Sequence, residues 1–235
     1  MPQTSLHLDL PDSGITEALG AALARAFPGA GGGAEVRAGT DVYVGTDARA
    51  GEGGRAGEGG RTGEGARTGA VVHLRGELGS GKTTCVRSLL HALGVTATVR
   101  SPTYTLVDTY SIPDTNSTSD TNSVPDTYST PDTYSTPDTY GPTLHCVHVD
   151  LYRLRGPAEV EELGLRDLTG PNHLMLVEWP EQGGHAVPPA DLDLQLRYAG
   201  ESRVALLRAV SPLGERWLAK LGLDTSLVPY VSNLT

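Results

Sequence analysis

The run Gly76-Glu77-Leu78-Gly79-Ser80-Gly81-Lys82-Thr83 fits the pattern G-x-x-x-x-G-K-[ST] in full. The chemistry it points to is polyphosphate binding. Glycines let successive backbone N–H groups turn inward around phosphates. A helix starting at Lys82 adds its own unpaired N–H groups and the positive end of its dipole. Lys82 is expected to neutralise the β and γ phosphates, and the Thr83 hydroxyl to bind Mg²⁺. Basic residues number 18, but only Lys82 and Lys220 are lysines. One of the two falls where a compact ammonium is wanted.

A Mg²⁺–nucleotide site also needs carboxylates near Thr83, and strand ends can supply them. Asp150 ends the alternating segment Leu144–Asp150, and Glu178 ends the apolar run Leu174-Met175-Leu176-Val177. An acid directly after four buried residues is costly unless a cation or donors await it. Either could be the metal ligand and the other the group that positions water. His145, Cys146 and His148 do not make a metal cluster, because strand alternation sends His145 and His148 to opposite faces.

The elements that must hold these groups follow from periodicity. Leu6, Leu8 and Leu10 alternate with polar residues as in a half-buried strand. Asp12 or Ser13 can cap a helix with Ile15, Leu19, Leu23 and Phe27 on one stripe. Val71–Leu74 reads as the buried strand before the glycine loop, and a helix follows over Lys82–Leu93 with Gly94 as its C-terminal cap. Further strands are expected at Thr105–Tyr110, Leu144–Asp150 and Leu174–Glu178. A hairpin is expected from Asp191–Tyr198 and Arg203–Val210, then a helix over Pro212–Leu221. Alternating strands and helices imply an α/β fold, its sheet parallel near the glycine loop and mixed toward the C-terminus.

The 235 residues include two repetitive stretches. In the first, Arg49, Arg55, Arg61 and Arg67 recur every six residues with Glu52, Glu58 and Glu64 between them. No apolar side chain larger than Ala lies between Asp47 and Gly69, so little there offsets the entropy of ordering. Residues 28–69 are expected to form one flexible insertion, with Val42-Tyr43-Val44 as a possible strand fragment. In the second, Asp114, Asp120, Asp126, Asp132 and Asp138 are each followed by Thr, and four of them are preceded by Pro. Residues 111–142 are expected to be a flexible acidic insertion that carries half of the net charge of −10. Without both stretches roughly 160 residues remain, the size of a single domain.

Composition excludes several classes. Apolar runs reach only four to six residues, against the ~20 a spanning helix needs. The start, Met1–Leu10, lacks the basic and apolar regions of a signal peptide. Cys85 and Cys146 have no CxxC partner. A reduced, cytoplasmic chain is the expectation. The acidic balance argues against a general nucleic-acid binder.

Four motifs together carry a resemblance: Gly76–Thr84; Ser101-Pro102-Thr103-Tyr104-Thr105-Leu106-Val107; His148-Val149-Asp150-Leu151-Tyr152-Arg153-Leu154; and Val177-Glu178-Trp179-Pro180. In this order they closely resemble the bacterial TsaE (YjeE) family, the P-loop ATPase of tRNA threonylcarbamoyladenosine biosynthesis. Glu161–Asp167 and Leu10–Gly20 also resemble segments of that family. The two six-residue repeats depart from it.

The resemblance implies a P-loop NTPase-like three-layer α/β sandwich with a mixed, partly parallel central sheet. It implies ATP on Gly79, Ser80, Gly81, Lys82, Thr83 and Thr84. Mg²⁺ would be held by Thr83 and Glu178, with Asp150 in the Walker-B-like place supporting metal or water. Thr103 and Thr105 would sense the γ-phosphate, Ser13 and Thr16 would lie near the adenine, and Trp179 would pack close to the nucleotide. It further implies work with the TsaB–TsaD pair, which transfers threonylcarbamoyl to the anticodon-adjacent adenosine of ANN-reading tRNAs. Hydrolysis would reset that complex, and tRNA would be contacted mainly through it. The rival readings are a small-molecule kinase, a guanine-specific switch, which would need an N-K-x-D signature, and a scaffold that binds ATP without hydrolysing it.

Overall fold

A computed structural model describes residues 4–29, 68–114 and 141–232. Strand β1 (Ser5–Leu10) leads into helix α1 (Ser13–Ala26), whose N-terminus is capped by the Asp12 carboxylate accepting from the Ile15 N–H at 3.0 Å. Strand β2 (Ala70–Arg75) precedes the glycine loop, and helix α2 (Lys82–Leu93) follows it and stops at left-handed Gly94. Next come β3 (Val107–Asp114), β4 (Gly141–Asp150), the short α3 (Pro157–Glu161) and β5 (His173–Glu178). The hairpin of β6 (Leu192–Ala199) and β7 (Ser202–Ala209) and helix α4 (Pro212–Leu221) complete the fold.

The seven strands form one sheet in the order β1-β7-β6-β2-β5-β4-β3. Its centre is parallel: β2 lies between β6 and β5, and β4 runs alongside β5. The flanks, β7, β1 and β3, are antiparallel to their neighbours. The fold is therefore α/β with a mixed, partly parallel central sheet, as the alternation of elements implied. No helix among the described residues is long and apolar enough to cross a membrane.

Helices α1, α2 and α4 cover one face over a core that includes Leu8, Leu10, Leu19, Leu89, Leu90 and Trp217. The Trp217 ring meets Phe27 at 5.0 Å, and its indole N–H donates to the Leu23 carbonyl at 2.9 Å. The other face is thinner: α3 and 3₁₀ turns at Leu165–Leu168 and Gly184–Ala186 close over Val147, Val149, Met175 and Val177. Strand β5 lies between the two cores, which is why its run Leu174–Val177 is apolar on both sides.

The β3–β4 pair differs from the sequence expectation. Its first strand starts at Val107 rather than Thr105, because Leu106 adopts a left-handed φ of 65° and its N–H closes a turn onto the Pro102 carbonyl. It then runs on to Asp114, and β4 begins at Gly141, so the ladder takes in both ends of the stretch 111–142. Pro113 is tolerated because β3 is an edge strand and the register shifts between Ile112 and Asp114. The Arg/Glu repeat, the Val42–Val44 triplet and most of the Pro-Asp-Thr repeat lie outside the described residues.

Candidate nucleotide and cation site

The glycine loop connects the C-terminal end of β2 to the start of α2, where the parallel strands of the sheet open onto a helix N-terminus. Gly76 has a φ of 136°, and a Cβ there would lie 2.1 Å from the Leu196 carbonyl, so the position admits nothing larger. Gly81 takes the N-cap position of α2 with a φ of 108° and offers no side-chain cap, which leaves the first-turn N–H groups of α2 for a ligand. The Ser80 hydroxyl is buried beside them with no hydrogen-bond partner among the described residues. Thr84 is half-buried in the same turn.

Lys82 is almost fully buried, and its Nζ donates to the Gly76 carbonyl at 2.8 Å and the Glu77 carbonyl at 2.9 Å. It also stands 4.2 Å from the centre of the Trp179 ring. Burial pushes the ammonium below its usual pKa, opposed by the charges of Glu178, Asp150 and Glu181. Trp179 is itself fixed: it has a left-handed φ of 57°, its N–H donates to the Leu74 carbonyl, and its ring meets Tyr152 at 5.0 Å.

Thr83 donates its hydroxyl to Glu178, at 2.8 Å to Oε1 and 3.1 Å to Oε2. Asp150 is the register partner of Glu178 on the adjacent parallel strand. Its Oδ2 accepts the hydroxyls of Ser101 and Thr103, the latter at 2.7 Å, and its Oδ1 accepts the Tyr152 N–H at 3.0 Å. The strand ends thus bring two buried acids to the foot of the glycine loop.

The remaining sequence-selected residues divide. Thr16 is buried in α1, its methyl 3.1 Å from where a Cβ on Gly81 would sit, so it packs against the loop. Ser13 is exposed at the start of the same helix. Thr105 is not brought into the Asp150 cluster: it is exposed, and its hydroxyl donates to Asp108 at 3.0 Å.

Two supports of the loop escaped sequence reasoning. The Tyr198 hydroxyl donates to the Leu78 carbonyl at 3.1 Å, and the Arg203 guanidinium lies over the Tyr198 ring and reaches the Gly79 carbonyl at 3.4 Å. Their strands could be read from alternation, but nothing in the sequence says that this hairpin end sits beside the loop. His148 was also missed as a site residue. It faces inward, its Nε2 2.9 Å from Glu178 Oε1, while His145 stacks on His173 at 5.2 Å on the other face.

The residues suit a nucleotide with a hard divalent cation. The loop offers glycine-shaped space, uncapped N–H groups, an unpaired hydroxyl and an ammonium. The candidate cation ligands beside it, the Thr83 hydroxyl and the Glu178 carboxylate, are oxygens. No group of three His, Cys, Asp or Glu that could hold a metal occurs among the described residues. Thr83 and Glu178 are the kind of oxygen donors that Mg²⁺ would take, since it uses one or two protein carboxylates together with substrate phosphates.

A strand, glycine loop and helix at the parallel centre of a mixed sheet define a P-loop fold. The structure resembles the crystal structure of Bacillus subtilis YdiB with a TM-score of 0.53 and 21% identity, covering 93% of this chain and 94% of that one. The model of the family described as "Threonylcarbamoyl adenosine biosynthesis protein TsaE" matches residues 56–121 and 115–205. The chain belongs to the TsaE family. Among curated relatives named "tRNA threonylcarbamoyladenosine biosynthesis protein TsaE", that of Haemophilus influenzae is 34% identical over 145 residues, 62% of this chain and 73% of the relative. That of Streptomyces coelicolor is 34% identical over 150 residues, 63% of this chain and 82% of the relative.

Proposed function

We propose that this chain is a Mg²⁺-dependent ATPase of tRNA threonylcarbamoyladenosine biosynthesis. It works with the TsaB–TsaD pair, and hydrolysis resets that complex between turnovers. The observation that carries the reading is the Thr83–Glu178 contact at the base of an uncapped glycine loop. A hydroxyl one residue after the phosphate lysine, held against a carboxylate from a neighbouring strand, is a ligand pair for a phosphate-bound cation. Membership in the TsaE family and the names of the relatives supply the pathway.

On this reading each group has a role that follows from its surroundings. The loop N–H groups from Gly79 to Thr84 and the start of α2 bind phosphate oxygens. Lys82 gives up its carbonyl partners, Gly76 and Glu77, for the β and γ phosphates, an exchange favoured because those carbonyls are neutral. Thr83 and Glu178 hold the cation, which when bound would offset the charge developing on the phosphoryl oxygens. Asp150, already accepting three donors, positions the attacking water or supports the cation through it. Thr103 couples that acid to the segment Ser101–Thr105, which can then respond to the γ-phosphate. Trp179 and Thr16 wall the loop, and Ser13 and Thr16 at the start of α1 lie near the adenine. Residues 28–69 and 111–142 are insertions in a single ATPase domain that stands in the cytoplasm and meets tRNA mainly through its partners.

The test is ATP hydrolysis by the purified chain, alone and with the TsaB–TsaD pair, with Lys82→Ala as control. The expected result is turnover that rises with the pair and vanishes in the variant. Binding without hydrolysis in the presence of the pair would reduce the chain to a nucleotide-dependent scaffold. A phosphorylated small molecule as product would make it a kinase.

A further inference from the structure

His148 is fully buried and lies two residues before Asp150, on the same face of β4. Its neighbours on that face are Leu144 and Cys146, and its register partner is Leu176, so an apolar residue would suit the position. Instead its Nε2 lies 2.9 Å from Glu178 Oε1. A carboxylate oxygen can only accept, so Nε2 carries the proton and His148 donates. Its Nδ1 is buried with no hydrogen-bond partner among the described residues. An N–H there would be an orphaned donor, which fits the neutral ring protonated at Nε2 alone.

The two oxygens of Glu178 are therefore unequal. Oε1 accepts both the imidazole and the Thr83 hydroxyl, at 2.9 and 2.8 Å. Among the described residues, Oε2 accepts only Thr83, at 3.1 Å. We propose that His148 is the positioning residue of the cation site: its Nε2–H saturates one oxygen of Glu178 and fixes the carboxylate plane, so that the other oxygen is presented to the cation. The proposal rests on Glu178 and Thr83 being the cation ligands, as proposed above, and adds the group that orients them. His148 itself is not a ligand. Outer hydrogen-bond partners of this kind are typically worth about ten- to a hundredfold in metal affinity.

The test uses the full chain with ADP, and Mn²⁺ as a spectroscopic replacement for Mg²⁺, its binding followed by electron paramagnetic resonance. In His148→Gln the amide nitrogen reaches about as far along the side chain as Nε2, so the donor is retained. In His148→Asn it reaches only the place of Nδ1, and the donor is lost. Mn²⁺ affinity of the ADP complex should fall about tenfold or more in His148→Asn and stay within about threefold of wild type in His148→Gln. ADP affinity in EDTA should be unchanged in both, which also shows that they fold. Glu178→Gln, measured alongside, separates the two layers. If it weakens Mn²⁺ binding and His148→Asn does not, the positioning role is overturned and the cation reading survives. If it leaves Mn²⁺ binding intact, both are overturned. A tenfold loss in His148→Gln with metal-free ADP binding preserved also overturns the role, since that variant keeps the donor.

Discussion

Asp150 and Glu178 are register partners on adjacent parallel strands, yet they are tied to different parts of the molecule. Glu178 faces the first turn of α2 through Thr83, whereas Asp150 is engaged by Ser101, Thr103 and the Tyr152 N–H. Equivalent positions on neighbouring strands thus separate into one acid directed at the phosphate loop and one that anchors the segment before β3.

The two acids should therefore fail differently. Glu178→Gln should lower the proposed Mg²⁺-dependent hydrolysis by at least the roughly ten- to hundredfold that loss of an outer hydrogen-bond partner of a metal ligand costs, while leaving amide exchange at Ser101–Leu106 as in wild type. Asp150→Ala removes the acceptor of two hydroxyls, each such bond to a charged group being worth about 1.5–3 kcal/mol. Exchange across Ser101–Leu106 should then speed up by about tenfold or more. Hydrogen-exchange mass spectrometry of both variants checks this, and equal exchange in the two would remove the distinction.

Helices α1 and α2 meet at Gly20 with no room to spare. A Cβ there would lie 2.2 Å from the Cys85 carbonyl and 2.9 Å from Ser88 Cβ. Alanine improves intrinsic helix propensity by about 1 kcal/mol, but forcing the helices apart typically costs about 1–3 kcal/mol. Backbone contact this close puts the cost at the upper end. Gly20→Ala should be destabilised by about 2 kcal/mol in urea unfolding. It should also bind nucleotide more weakly, because α2 carries Lys82 and Thr83.

His73, on β2 just ahead of the loop, is buried with its Nε2 2.9 Å from the Pro188 carbonyl. Burial holds its pKa below the ordinary value of 6.5, against the opposing effect of that hydrogen bond. The unfolded chain therefore takes up the proton first as pH falls. The stability contributed by the neutral ring is complete above about 6.5 and is lost as pH drops below it. The midpoint of thermal unfolding should fall between pH 7 and pH 5, and His73→Gln should flatten that slope. His145, also held below its ordinary value by burial and by His173, contributes in the same direction. The slope of the variant relative to wild type is thus the readout, and an unchanged slope would remove His73 from the acid response.

The parts of this structure that sequence made legible are those governed by short-range rules. Lys82–Leu93 could be bounded at both ends because a glycine stands just outside each end, Gly81 before and Gly94 after, in a conformation few other residues adopt. Asp150 and Glu178 stood out because an acid after an apolar run needs a partner, and each has one. What was missed depends on contacts between distant segments. The ring of His148 reads as one more inward-facing residue until β4 and β5 are placed side by side. Tyr198 and Arg203 gain their place only when β6 lies against β2. The family resemblance groups Thr105 with Thr103, and the two hydroxyls differ in their partners: that of Thr103 donates to Asp150 and that of Thr105 to Asp108, beside the left-handed turn at Leu106.

The strand ends also define a cut that tests the insertion reading of residues 111–142. Asp114 and Gly141 are register partners at the end of the β3–β4 ladder. Replacing residues 115–140 by Asn-Gly should therefore close the hairpin directly. Nucleotide affinity should stay within about twofold of wild type, since the ladder's other end, at Val107 and Val149, is the one beside Asp150. Cutting the whole of 111–142 should behave differently. It removes Ile112, which packs against the main core and pairs with Leu144, and part of an apolar burial worth about 1.5–3 kcal/mol would be lost. The wider cut should lower the unfolding midpoint while the narrower one does not, and both should bind nucleotide. A loss of affinity of about tenfold or more in the narrow cut would mean that residues 115–140 reach the phosphate loop, and the insertion reading would fail.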